Sequence, residues 1–178
     1  MSTTMASEPL IRQGNLQDVP LILQFIRQAA EEQAPGSRIA ATEDSLSQTL
    51  HLDSTPNEDK SPAAPRRFAW PLLIFSPDGQ PAGLLIYFYN YSTWQAAPGL
   101  CLEELYVVPG YRRHGYAKLL LRAMASAARE AGCVKMDWVC LADNAKALRF
   151  YDKLGARRME DWVVLKVGRD GIEDLAAD

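Results

Sequence analysis

The stretch Leu102-Glu103-Glu104-Leu105-Tyr106-Val107-Val108-Pro109-Gly110-Tyr111-Arg112-Arg113-His114-Gly115-Tyr116-Ala117-Lys118-Leu119-Leu120-Leu121 constrains this chain more than any other. An apolar, β-branched run stops at Pro109-Gly110, a basic turn carrying Gly115 follows, and an amphipathic helix begins within two residues of that glycine. A strand that passes into a helix through such a loop aims several backbone N–H groups and the positive end of a helix at one spot. The ligand that fits there is an anion, above all a pyrophosphate. Glu103 and Glu104 lie upstream on the same strand, so one element presents both an anion site and a candidate base.

With 178 residues, 48% of them hydrophobic, the chain is sized for one compact domain; a second independent core would be cramped. Its expected bounds are residues 9–168, with polar flexible tails at 1–8 and 169–178. A formal charge of −3 from interspersed acids and bases lacks the basic bias of a nucleic-acid binder. The longest apolar run, Ala82 to Tyr89, is strand-sized, so no membrane span is expected, and Met1 to Pro9 has neither an apolar core nor an arginine bias. Three cysteines, Cys101, Cys133 and Cys140, suit buried free thiols in a reducing, cytoplasmic setting, and two histidines without a Cys-x-x-Cys suggest no metal.

In chain order, Pro9–Gln13 predicts a short strand, and Leu21, Ile22, Phe25, Ile26 and Ala29 predict an amphipathic helix ending by Pro35-Gly36. Thr42 caps a second short helix, and Asp53–Arg67, with three prolines and no periodicity, reads as a loop. Phe68–Phe75 and Ala82–Tyr91 flank Ser76-Pro77-Asp78-Gly79 and predict an antiparallel hairpin. Leu100–Val108 is the next strand; the helix from Gly115 ends at Gly132; Val134–Leu141 then alternates as a strand parallel to the one before that helix. Asp143-Asn144 opens a helix ending at Gly155, on which Asn144 and Tyr151 are two turns apart and share a face. Arg157–Val167, carrying Trp162, Val163, Val164 and Leu165, is expected to be a final strand. The order β-α-α-β-β-β-α-β-α-β implies an α/β (α+β) fold with a mixed, mostly antiparallel central sheet flanked by helices.

Arg112-Arg113-His114-Gly115-Tyr116-Ala117 resembles the Arg/Gln-x-x-Gly-x-Gly/Ala pyrophosphate loop of the GNAT superfamily of N-acetyltransferases. The run from Asn144 through Ala147, Phe150 and Tyr151 to Gly155-Ala156 resembles its second signature, Asn-x-x-Ala-x-x-Phe-Tyr-x-x-x-Gly-Ala. Tyr87–Trp94 and Leu102–Val107 are similar to the diamine (spermidine/spermine) and thialysine acetyltransferase branch.

That resemblance implies a GNAT fold and direct transfer of an acetyl group from acetyl-CoA to a primary amine, with no covalent enzyme intermediate and no metal. It implies that Leu105, Tyr106 and Val107 pair with the pantetheine arm as an added strand. The amides of Arg113, His114, Gly115, Tyr116, Ala117 and Lys118 would hold the pyrophosphate, with charge from Arg112 and Arg113 and a further contact from Asn144. Because a protonated amine cannot attack a thioester, a base is needed, and the resemblance points to Glu103; Tyr151 would protonate the leaving thiolate. Neighbours in a regular strand face opposite ways, so Glu103 and Glu104 cannot both face the reaction unless a bulge intervenes. A cationic amine calls for carboxylates and an aromatic wall, for which Glu103, Glu104, Trp94, Glu160, Trp162 and Glu32, with Glu31 beside it, are candidates. Ser92 stands where polyamine enzymes tend to have an acid, and Pro35-Gly36 interrupts their acidic stretch, so thialysine-like amines stay open beside diamines and polyamines. A protein or peptide amine as acceptor, or a non-catalytic acetyl-CoA-binding module, are the competing readings. A homodimer is what the resemblance suggests for assembly.

Overall fold

The computed structural model describes residues 8–53 and 66–177. The loop expected over Asp53–Arg67 therefore lies, apart from its ends, outside the described residues. The chain divides after Val139 into two compact units, each taken by itself.

The first unit is built on a five-stranded sheet of order β1-β2-β3-β4-β5, with β1 (Leu10–Gln13), β2 (Trp70–Phe75), β3 (Pro81–Ser92), β4 (Ala97–Val107) and β5 (Met136–Asp137). All neighbours are antiparallel except β4 and β5, which run parallel on either side of helix α3 (Tyr116–Glu130). Helix α1 (Val19–Gln33) enters through a 3-10 turn at Leu16–Asp18 that Asn15 caps, tolerates Pro20 in its first turn, and stops at Ala34 just before Pro35. Helix α2 (Glu43–Thr49) starts in a reciprocal cap in which Thr42 and Ser45 exchange hydrogen bonds.

Helices cover both faces of this sheet. Leu84 and Ile86 of β3 and Tyr106 of β4 join Ile22, Phe25 and Leu46 in one buried cluster under α1 and α2. Leu85, between the two β3 residues, is equally buried and by strand alternation points to the other face, where α3 packs with Leu120 and Met124 fully buried. Gly83 is what lets β3 approach β4 so closely, since a Cβ there would lie 2.6 Å from the Tyr106 carbonyl oxygen.

Strand β5 is shorter than the alternation over Val134–Leu141 suggests. Pairing begins, with Leu100 N–H donating to the Lys135 carbonyl, but ends at Cys101 opposite Asp137. Beyond that point β4 bulges, and a bulge bends its strand and interrupts the ladder.

In the second unit, α4 (Ala145–Asp152) is closed at Gly155, whose φ of +85° only glycine adopts readily. The final strand expected over Arg157–Val167 is absent: these residues form no ladder among the described residues, and Trp162 and Val163 are two-thirds or more exposed. A β-prone run becomes a strand only where a partner takes its N–H and C=O groups, and among the described residues no strand is paired to it. Helix α5 (Arg169–Ala177) follows where a polar tail was expected; Ile172 and Leu175, three residues apart, give it an apolar stripe that a count of charges hides. Among the described residues no helix is long and apolar enough to cross a membrane.

The start of α1 carries an ion pair. Arg12 donates to both carboxylate oxygens of Asp18 at 2.5 and 2.9 Å, and Asn15 N–H adds a third bond at 2.8 Å. The Arg12 bond holds the Asp18 carboxyl below its ordinary range, outweighing burial, which pushes the other way. A depressed carboxyl stabilises the fold fully above its unfolded value of about 4 and loses that contribution as the pH falls through its folded value. Asp18→Asn should therefore cost about 1–2 kcal/mol at pH 7, a gap that urea unfolding at successively lower pH should show closing in acid.

Candidate active site

Strand β4 changes faces partway along. Glu104 stands opposite Ile86 on β3, but the next pair is Leu102 opposite Tyr87, so Glu103 is an extra residue with no counterpart. Residues opposite one another share a face. Glu104 therefore shares the α1 face with Ile86, whereas Leu102 shares the α3 face with Tyr87, although a regular strand would place 102 and 104 together. The bulge frees Glu103 from the alternation and leaves it exposed. Glu104 is more enclosed; it accepts from Leu105 N–H at 3.1 Å, and Gln33 at the end of α1 lies 3.5 Å away. Burial, with Glu103 adding a like charge, pushes its carboxyl above the ordinary range despite those donors.

The bulge also opens an edge. With β5 ended at Asp137, the side of β4 away from β3 has no strand partner from Leu102 to Val107 among the described residues. Strand β4 runs out of this open edge into a 3-10 turn, Pro109–Tyr111, then Arg112, and α3 begins at Tyr116. Arg113 has φ of +71° and Gly115 φ of +83°. Two left-handed residues within three positions turn this loop sharply into the start of α3, and at Arg113 the conformation is strained, as residues at binding sites often are. The helix that follows adds its positive end. The open edge of β4, with Leu105, Tyr106 and Val107, runs directly into the loop Arg112–Lys118.

Arg112 itself turns back to the strand. Its Nε donates to the Val107 carbonyl at 2.8 Å, and its Nη2 lies 2.6 and 2.7 Å from the two carboxylate oxygens of Glu32.

At the point where β4 and β5 part, Asn90 of β3 donates to Asp137 of β5 at 3.0 Å, reaching across β4 over Gly99, and Lys135 pairs with Asp137 at 2.7 Å. A Cβ on Gly99 would lie 2.3 Å from Asn90 Oδ1 and 2.8 Å from Lys135 Cγ, so this bridge exists because residue 99 has no side chain. Cys101 stands opposite Asp137; burial first, then Asp137 and Glu103, push its thiol up to about 11, and it is neutral at physiological pH. The three cysteines are half-buried rather than fully buried.

In the second unit, Asn144 caps α4, its Oδ1 accepting from Ala147 N–H at 3.1 Å, and Tyr151 is half-buried with its ring 5.3 Å from that of Phe150. Glu160 and Trp162 belong to this unit and are exposed. Trp94 sits in the turn between β3 and β4 at 91% exposure and lines no wall among the described residues of the first unit. An aromatic cluster lies elsewhere in the first unit: Trp70 stacks on Tyr87 and meets Tyr89 edge-on, and burial raises the Tyr87 phenol to about 12. His51 stacking on Trp70 extends the cluster toward α2.

The family model described as the acetyltransferase (GNAT) family matches residues 39–156, and the chain belongs to that family. It is 31% identical over 94 residues to an L-ornithine N5-acetyltransferase of Arabidopsis thaliana, a match that takes in 53% of this chain and 41% of the plant protein, less than half its length. It is 26% identical over 175 residues to a thialysine N-epsilon-acetyltransferase of Bos taurus, covering 94% of this chain and 96% of the other. A solved integron cassette protein of V. cholerae shares the fold with a TM-score of 0.72 at 18% identity, over 98% of this chain and 99% of that one.

Because Glu104 is held above the ordinary carboxyl range, folding favours its protonated form, and stability falls as the pH rises from the unfolded value through the folded one. Glu104→Gln keeps an acceptor for Leu105 N–H and removes the buried charge. Thermal unfolding should show this variant melting higher than the parent at pH 7.5 and equal to it near pH 4.

Proposed function

We propose that the protein is an acetyl-CoA-dependent N-acetyltransferase acting on the primary amine of a small diamine, polyamine or thialysine-like substrate through a single catalytic domain. The observation that carries this reading is the unpartnered edge of β4 leading into the left-handed loop at Arg113–Gly115 and the start of α3. An extended amide-bearing arm laid along Leu105, Tyr106 and Val107 completes the sheet, and its pyrophosphate then meets the amides of Arg113 to Lys118 at the start of α3. Two groups on that edge already have side-chain partners: Leu105 N–H bonds Glu104, and the Val107 carbonyl bonds Arg112, so both exchange partners when the arm enters.

Glu103, released from strand alternation and exposed beside the parting of β4 and β5, is the proposed base. The amine loses its proton toward this carboxylate, attacks the thioester carbonyl, and forms the amide as the carbon–sulfur bond breaks. Tyr151, by its place in the second family signature, is the proposed acid for the departing thiolate, and Asn144 a proposed cofactor contact in addition to capping α4. The neutral Cys101 thiol supports direct transfer over a thioester on the enzyme. Glu103 and Glu104 form the anionic side of the amine site, with Trp94, Glu160 and Trp162 as further candidates. The names of the plant and bovine relatives, both N-acetyltransferases of small amino acids with a side-chain amine, support an amine of that size.

Incubation with acetyl-CoA and a panel of ornithine, lysine, thialysine, putrescine, spermidine and spermine should release free CoA thiol with at least one amine. Tyr151→Phe should lower kcat about 100-fold or more while CoA binding persists. Thiol release no greater than in a protein-free blank for every amine overturns the small-amine reading, and acetylated peptides by mass spectrometry would replace it with a protein acceptor.

A further inference from the structure

Helix α1 ends over the open edge of β4, and its last two side chains are committed there. Gln33 approaches Glu104, and Glu32 takes Arg112 by both carboxylate oxygens. Arg112 is thereby fixed at three points: the Glu32 carboxylate, the Val107 carbonyl, and the face of Tyr106, whose ring centre is 5.8 Å from the guanidinium carbon. Tyr106 in turn is buried against Phe25 of α1, with ring centres 5.6 Å apart. The residue after this anchor is Arg113, the one non-glycine residue of the loop in the left-handed region. Such a conformation persists only where its surroundings over-determine it. On its amino-terminal side the surroundings are Arg112 and the groups that hold Arg112.

We propose that Glu32 is a positioning residue for the acetyl-CoA loop, acting through Arg112, and is not part of the amine site. The inference rests on the reading of Arg113–Lys118 as the pyrophosphate cradle. A carboxylate already bonded by a guanidinium is charge-compensated and offers little to a cationic amine, whereas its loss releases Arg112 from α1 and loosens the turn that sets the direction of the loop amides. The contribution is geometric, so an uncharged acceptor of the same length retains most of it.

Titration calorimetry with CoA on the parent protein and on Glu32→Ala, Glu32→Gln and Arg112→Ala tests this, together with the KM for acetyl-CoA and for the best amine. Glu32→Ala should weaken CoA binding about tenfold, Glu32→Gln should restore most of the loss, and the amine KM should stay within twofold. The double variant Glu32→Ala/Arg112→Ala should bind CoA no worse than Arg112→Ala alone, because the carboxylate acts only through the guanidinium. A higher amine KM with unchanged CoA affinity returns Glu32 to the amine site and overturns the proposal. Tighter CoA binding in Glu32→Ala also overturns it, since the carboxylate would then only compete with phosphate for Arg112. If the parent protein does not bind CoA, the cradle itself is misassigned, a failure distinct from equal binding by parent and variants. Circular dichroism melting of each variant separates loss of the loop from loss of the fold.

Discussion

One extra residue in a central strand decides how the first unit is organised. Opposite the step from Ile86 to Tyr87, β4 spends two residues where β3 spends one, and its side chains exchange faces there. On one side of that step Tyr106 belongs to the α1 cluster and Glu104 approaches Gln33; on the other, Leu100 and Leu102 are buried beneath α3. Pairing with β5 stops at Cys101, just before this step, so from Leu102 onward β4 is itself the edge of the sheet among the described residues. A sheet edge leaves backbone groups unpaired, and here side chains of Glu104 and Arg112 occupy two of them.

Beyond the open edge, the path of the chain depends on α1 as much as on the loop itself. The helix lies on the sheet through Ile22, Phe25 and Ala29, which fixes where its last turn ends, and that turn delivers Glu32 and Gln33 to β4 and its loop. A segment far earlier in the chain thus sets the conformation of a glycine loop whose motif looks self-contained. The bridge from Asn90 over Gly99 to Asp137 plays a comparable part at the other end of the open edge, tying three strands together where backbone pairing is only two residues long.

The strand, loop and helix from Leu102 to Leu121 were legible because each is announced locally: β-branched residues, a proline and glycine, then apolar spacing at 3.6 residues. The bulge left a trace as well, since apolar residues fall at 100 and 102 and then at 105 and 107, a change of parity across the two glutamates. Gly99 fell outside the strand expected from Leu100, so its close approach to Asn90 and Lys135 went unread. The pairs Glu32–Arg112 and Gln33–Glu104 left no trace, because a contact between residues so far apart arises from the packing angle of a helix and not from any local pattern. The segment over Arg157–Val167 misled for the converse reason: Trp162-Val163-Val164-Leu165 has the composition of a strand, while forming one depends on a partner that composition does not contain.

Cys101 carries a consequence for selectivity. A thiolate beside an activated acyl group is a competitor to any amine, because sulfur exchanges readily with thioesters and would divert the acyl group onto the protein. With its thiol pushed up to about 11, Cys101 is neutral at pH 7. Burial first, and then the carboxylates of Asp137 and Glu103, suppress ionisation of the sulfur, while that negative charge is attractive to an ammonium ion. With the amine at Glu103, as proposed, burial and these carboxylates together silence the sulfur nucleophile built into the chain, and the carboxylates draw in the nitrogen nucleophile.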